Sequence, residues 1–180
     1  MSEMLEKARK YEFIQGQQIK EEERPAFHIT PYVGWMNDPN GFSYYNGAYH
    51  MFYQYYPYRP FWGPMHWGHA VSEDLLHWNY LPAALAPDEP YENGGGCFSG
   101  SAIDLSDGRQ LLVYTGVLSE KQPDGTMHGV QQQCVAVGDG VNYEKCENNP
   151  VMTAKQLPSD SNRRSEEHTS ELQSHTRISY

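Results

Sequence analysis

Positive charge, cysteine and long apolar runs are all scarce in this 180-residue sequence. Lys and Arg number 13 against 23 Asp and Glu, a formal net charge of -10. That balance repels phosphate backbones and anionic lipid, so neither nucleic acid nor a membrane is expected as a partner. No stretch approaches the ~20 apolar residues of a membrane-spanning helix. The N-terminus lacks the basic-then-apolar order of a secretory leader. The three cysteines, Cys97, Cys134 and Cys146, are odd in number and without paired spacing, and no Asn-x-Ser/Thr sequon occurs. A disulfide-stapled exported domain is therefore disfavoured and a reducing, cytoplasmic setting is expected.

Aromatic rings are abundant, at 13% of the chain. They are also clustered, with eleven of the 24 Phe, Trp and Tyr between Phe42 and Trp62. Flat rings gathered this way suggest a surface that stacks on sugars or bases, and the acidic balance favours sugars. From Phe42 onward, short β-rich runs alternate with the turn dipeptides Asn46-Gly47, Asp107-Gly108, Asp124-Gly125 and Asp139-Gly140, which accept the positive φ of tight hairpins. The pattern predicts strands at Phe42–Tyr45, Ala48–Tyr55, His66–Ser72, Phe98–Asp104, Gln110–Gly116 and Val130–Val137. No helix-period segment separates them, so an antiparallel all-β fold is expected, with sandwich and propeller both open. Residues 1–24, with Leu5, Ala8 and Phe13 as sparse apolar points, read as a short surface helix or arm.

Residues 164–180 break the pattern. The run RSEEHTSELQSH has neither period nor turn logic, the mark of a disordered polar tail. Written back into codons it looks like a translated sequencing-library adapter, so the sequence predicts a non-native tail after Arg163.

The chemistry gathers at Trp35-Met36-Asn37-Asp38-Pro39-Asn40-Gly41. On turn chemistry alone, Asp-Pro-Asn-Gly is a turn, with φ fixed at Pro39 and free to be positive at Gly41. The functional reading places the Asp38 carboxylate at the mouth of a ring-walled pocket, where it can attack an anomeric carbon or stabilise positive charge there. Other candidates are weaker. His66 and His69 are three apart in a predicted strand and point to opposite faces, so no shared metal is expected and both are read as pocket-wall or core groups. Gly94-Gly95-Gly96 has no Lys-Ser/Thr after it and is read as a flexible turn rather than a phosphate loop. No cofactor is expected. Trp67 and Trp78 are read as core and Trp62 as exposed to substrate, while Cys97 is read as a small buried residue. Glu120, Glu144 and Glu147 are read as solvated.

Taken in order, Trp35–Gly41, Tyr49-His50-Met51-Phe52-Tyr53-Gln54-Tyr55-Tyr56-Pro57, Trp67–Trp78, Phe98-Ser99-Gly100-Ser101-Ala102 and Tyr114-Thr115-Gly116 resemble the invertase-like glycoside hydrolases of family 32. The resemblance runs from about His28 to Pro158. It implies the first two blades or so of a five-bladed β-propeller, hence a partial catalytic domain over 25–163. It implies hydrolysis of β-fructofuranosides such as sucrose, or sucrose phosphorylated on glucose, with retention of configuration. By the same resemblance Asp38 is the nucleophile, and Trp35, Asn37, Gln54, Trp62, Phe98 and Ser99 bind the sugar.

The family also carries an Arg-Asp-Pro motif, whose aspartate stabilises the transition state, and a Glu-Cys motif, whose glutamate is the acid/base. Neither occurs here. The 180-residue chain is therefore expected to be inactive alone and, as an open set of blades, to aggregate or fold in part. A non-catalytic module that binds a fructan or other sugar, with Asp38 merely orienting a hydroxyl, is the alternative, so the partner expected is sucrose, sucrose 6-phosphate or a fructan.

Overall fold

The computed structural model describes residues 1–156, and the predicted tail at 164–180 lies outside them. Eight strands form two four-stranded antiparallel meanders. The first sheet contains β1 (Trp35–Tyr45), β2 (Ala48–Tyr56), β3 (His66–Ser72) and β4 (Asn79–Leu85). The second contains β5 (Gly96–Asp104), β6 (Gln110–Lys121), β7 (Met127–Gly138) and β8 (Tyr143–Lys145). Sequential up-and-down strands in separate sheets are the topology of propeller blades, and the expected all-β architecture is present.

The turn dipeptides work as expected: Asn46 and the glycines at 47, 108, 125 and 140 all have positive φ. Three features depart from the prediction. First, β1 starts at Trp35 rather than Phe42, and Asp38-Pro39-Asn40-Gly41 lies within the strand. The pairing of β1 with β2 slips between Met36 and Pro39 and again between Asn40 and Ser43. Those bulges let a strand accommodate Pro39 and the positive φ of Gly41 without turning back. Second, β4 and β8 are absent from the predicted strands. β4 is an edge strand carrying Pro82 and two alanines, and β8 is only 3 residues long, so neither shows a β-rich alternation.

Third, the N-terminal segment forms the helix that is one of its two expected forms, but it is tied into both sheets rather than resting on the surface. Ser2 caps helix α1 (Glu3–Gly16) by accepting from the Leu5 N–H, and Leu5 and Ala8 are buried while Phe13 is exposed. Arg9 Nε donates to the Ala83 carbonyl (2.9 Å), and Glu12 Oε1 accepts from the Ala83 N–H (2.8 Å). The helix thus hydrogen-bonds the free edge of β4, the part of a sheet most open to unwanted pairing. The Arg9 guanidinium also reaches Asn142 Oδ1 (2.8 Å) and the Val141 carbonyl (3.1 Å) beside β8, so α1 bridges both sheets.

Both faces of the first sheet are covered. Phe52 and Trp67 pack toward Leu112, Tyr114 and Tyr143 of the second sheet, while Tyr53, Tyr55 and Ala70 pack toward Leu5 and Val33. This two-sided burial gives β2 and β3 nearly continuous burial instead of alternation, with His50, Gln54, His66 and His69 among the buried residues. It also divides the aromatic cluster. Phe52, Tyr53 and Tyr55 are core rather than sugar-stacking rings, whereas Phe42, Tyr44, Phe61 and Trp62 are exposed.

The sheets meet at the Met65 backbone, which donates to the Gly95 carbonyl (2.8 Å) and accepts from the Cys97 N–H (2.9 Å). Gly96 sits between these bonds at φ +103°, where a Cβ would lie 2.4 Å from the Met65 carbonyl oxygen. Gly94 and Gly95 form the expected turn, but Gly96 is a pinned close approach that opens β5.

Candidate active site

β1 and β5, the first strands of the two sheets, lie side by side. Each is bulged where it carries a candidate residue: β1 around Asn37 and Asp38, and β5 between Phe98 and Gly100. A bulge inserts an extra residue and re-aims a side chain that regular pleating would send elsewhere. Here the two bulges face each other. Ser99 Oγ donates to Asp38 Oδ2 at 2.8 Å, Asn37 Nδ2 donates to Asp38 Oδ1 at 3.2 Å, and the Trp35 indole donates to Asn37 Oδ1 at 3.0 Å. Asp38 is half-buried, so both carboxylate oxygens are oriented while the group keeps contact with solvent.

Beneath this group lies a buried amide pair. Gln54 Nε2 donates to the Cys97 carbonyl at 2.9 Å. The orientation that satisfies Asn40 has its side-chain oxygen accepting from Gln54 Nε2 (3.0 Å) and the Gln54 N–H (3.3 Å), with its nitrogen donating to the Pro39 carbonyl (3.1 Å). The amides tie β1, β2 and β5 together directly under the site. Trp67, at 0% exposure, adds an indole bond to the Phe98 carbonyl at 3.1 Å.

Of the residues singled out in the sequence, Trp35, Asn37, Asp38 and Ser99 form one hydrogen-bonded group, with Phe98 adjoining it. Gln54 is 2% exposed and turns its amide nitrogen inward. Trp62 is 53% exposed in the segment between β2 and β3 and shares none of the hydrogen bonds described. Sequence reasoning missed Asn40, which it placed in a turn, and the bond from Trp67, which it placed in the core. Trp67 is core by burial, yet its one polar atom points at the site strand.

The histidines have other partners. His66 is buried, which pushes its imidazole down to about 4. Its Nδ1–H donates to the Pro64 carbonyl at 2.9 Å. His50 Nδ1 and His69 Nε2 share a hydrogen bond of 2.9 Å, and burial lowers both rings below the usual imidazole range. All three stay neutral near pH 7 and serve packing. Glu120, Glu144 and Glu147 are exposed.

An oriented carboxylate at the junction of two propeller blades, flanked by amide and hydroxyl donors suited to sugar hydroxyls, resembles one of the two carboxylates that glycoside hydrolases use. Residues 28–166 match the model of the glycosyl hydrolases family 32 N-terminal domain, and the chain belongs to that family. It is 53% identical over 124 residues to the sucrose-6-phosphate hydrolase of Zymomonas mobilis subsp. mobilis, covering 67% of this chain and 23% of that protein. The raffinose invertase of Escherichia coli is 50% identical over 124 residues, covering 67% and 25%. Among solved structures, the GH32 beta-fructofuranosidase BmSUC1 of Bombyx mori gives a TM-score of 0.73 at 42% identity over 86% of this chain and 31% of that one. The chain therefore spans about a quarter of the length of the curated relatives it matches. Among the described residues, no helix is long and apolar enough to cross a membrane.

Proposed function

We propose that this chain supplies the nucleophile side of a retaining β-fructofuranosidase site, with Asp38 as nucleophile and sucrose or sucrose 6-phosphate as the substrate class. The observation that carries the reading is the pair of facing bulges that fixes both oxygens of Asp38 through Ser99 and Asn37. In the first step a carboxylate oxygen of Asp38 bonds to the fructose anomeric carbon as the glycosidic C–O bond breaks, and the leaving oxygen takes a proton from a glutamic acid. In the second, water activated by the same glutamate releases fructose with its configuration retained.

The acid/base and the stabilising aspartate would come from the Glu-Cys and Arg-Asp-Pro motifs, which the 180-residue sequence does not contain. Acid–base assistance is worth ~10²–10⁴ in rate, so the chain alone turns over poorly in this reading. Trp35, Asn37, Phe98 and Ser99 bind the sugar through ring faces and polar groups, with Trp62 reaching it from the exposed β2–β3 segment. Gln54 acts from beneath. Three free thiols are in keeping with a reducing, cytoplasmic setting.

The test places residues 28–156 of this chain in the related sucrose-6-phosphate hydrolase, in place of its matching segment. The hybrid is expected to hydrolyse sucrose, and Asp38→Asn to lower kcat by about 10⁴ while sugar binding survives. Unchanged turnover in the Asp38→Asn hybrid removes Asp38 as nucleophile. A hybrid that binds sugar without hydrolysing it favours the sugar-binding module.

A further inference from the structure

Ser99 is the extra residue of a bulge: Phe98 pairs with Thr115 and Gly100 with Tyr114, so the register of β5 against β6 slips at Ser99. A bulged residue leaves the regular ladder, so its direction depends on what holds the residues beside it. On the far side, Gly100 leaves no freedom, since a Cβ there would lie 1.9 Å from the Val113 carbonyl oxygen. On the near side, Met65 just before β3, Gln54 of β2 and Trp67 of β3 hold successive peptide units from Gly95 into β5. Met65 binds the Gly95 carbonyl and the Cys97 N–H, Gln54 Nε2 binds the Cys97 carbonyl, and Trp67 Nε1 binds the Phe98 carbonyl at 3.1 Å. The series ends on the peptide unit that leads into Ser99.

Trp67 is itself immobile. It is 0% exposed, its ring lies 5.7 Å from Phe52 and 6.3 Å from Tyr114 by centroid, and its strand neighbours His66 and Gly68 pair with Tyr55 and Tyr53 of β2. A donor fixed on three sides and aimed at a carbonyl beside a bulge determines where that bulge points. We propose that Trp67 is a positioning residue: through the Phe98 carbonyl it sets the β5 bulge that keeps the Ser99 hydroxyl on Asp38. The catalytic consequence rests on the reading of Asp38 as nucleophile, but the positioning itself does not.

The experiment therefore reads geometry in the chain as it stands. The carboxyl carbon resonance of Asp38 is recorded by NMR in the unsubstituted chain, Ser99→Ala, Trp67→Phe and the double variant. Phenylalanine keeps most of the buried ring and removes only the donor. Ser99→Ala is expected to displace the resonance, Trp67→Phe to displace it in the same direction, and the double variant to match Ser99→Ala alone, because the two substitutions break one arrangement. A Trp67→Phe displacement that adds fully to that of Ser99→Ala, or no displacement at all, overturns the proposal.

Hydrogen exchange of the indole N–H in the unsubstituted chain decides the case even if Trp67→Phe does not fold. Trp67 is expected to exchange at least about 100-fold more slowly than exposed Trp62, as a buried bonded donor does. Equal rates overturn the proposal. If the Asp38→Asn hybrid enzyme keeps its activity, the catalytic reading fails while these resonances still report the Trp67–Ser99 link.

Discussion

Glu12 is a carboxyl group on α1 with only 4% exposure, facing the edge of β4. Burial pushes it up from 4.5 to about 7, against the opposing effects of the Ala83 N–H, the Tyr55 hydroxyl and the Arg9 guanidinium. Tyr53, Tyr55 and Tyr58, whose own hydroxyls burial holds protonated, also face Glu12, and Asp139 acts on the same Arg9. A carboxyl raised in the folded state favours the protonated form. Its contribution to stability is full below pH 4.5 and is lost as pH rises from there through about 7. At 1.36 kcal/mol per pH unit, the full span corresponds to about 3 kcal/mol.

Glu12→Gln keeps an oxygen for the Ala83 N–H and removes the ionisation. Below pH 4.5 the variant is expected to melt with the parent. Above pH 7 it gains up to about 3 kcal/mol, which for a domain of this size is on the order of 10 °C in Tm. Thermal unfolding followed by circular dichroism from pH 4 to 8.5 measures the difference curve. The buried histidines and the lowered Asp74 and Asp107 act equally on both proteins and cancel. A Tm gap independent of pH, or a variant less stable than the parent at pH 8, refutes the reasoning.

Three further outcomes are expected. Gly96→Ala places a methyl 2.4 Å from the Met65 carbonyl at a left-handed φ, and should cost more than about 2 kcal/mol by urea unfolding; an unchanged midpoint would show that the sheets are not pinned there. Lys145→Met removes the ammonium that binds Asp88 and, at 2.6 Å, Glu92 Oε2, leaving a buried carboxylate without its cation, held by the Glu89 N–H and the Tyr114 hydroxyl; a loss of about 3–5 kcal/mol is expected in the same assay. Phe42 and Tyr44 are 55% and 58% exposed and both touch the Tyr49 ring, so replacing the pair with serine should reduce self-association of the chain in analytical ultracentrifugation, and an unchanged sedimentation profile would place the sticky surface elsewhere.

Legibility followed the range of the forces. Hairpin turns and the strands β2, β3, β5, β6 and β7 announce themselves locally, through Asn-Gly or Asp-Gly and through aromatic and β-branched runs. β4 does not, because its place is secured by α1: Arg9 and Glu12 satisfy the backbone of Ala83 from about seventy positions away. The aromatic cluster misled for a related reason. Its density is local, but the choice between core and surface for Tyr53 and Tyr55 was made by Leu5 and Val33, which pack on a face that alternation would have left to solvent.

At the site, the residue types were legible and their arrangement was not. Asp-Pro-Asn-Gly has the composition of a turn, and nothing within seven residues says that Tyr53 and Phe52 will pair with Pro39 and Asn40 and stretch it into a bulged strand. That difference matters chemically. A turn would leave Asp38 on a mobile tip, whereas a bulged strand bonded to β2, beneath which Gln54 links Asn40 to Cys97, holds it against the Ser99 hydroxyl. Preorganisation of the carboxylate thus comes from the seam between the two sheets, through Met65 and Trp67 on one side and the glycines at 96 and 100 on the other. A sequence shows those residues only as a core tryptophan and a run of small residues.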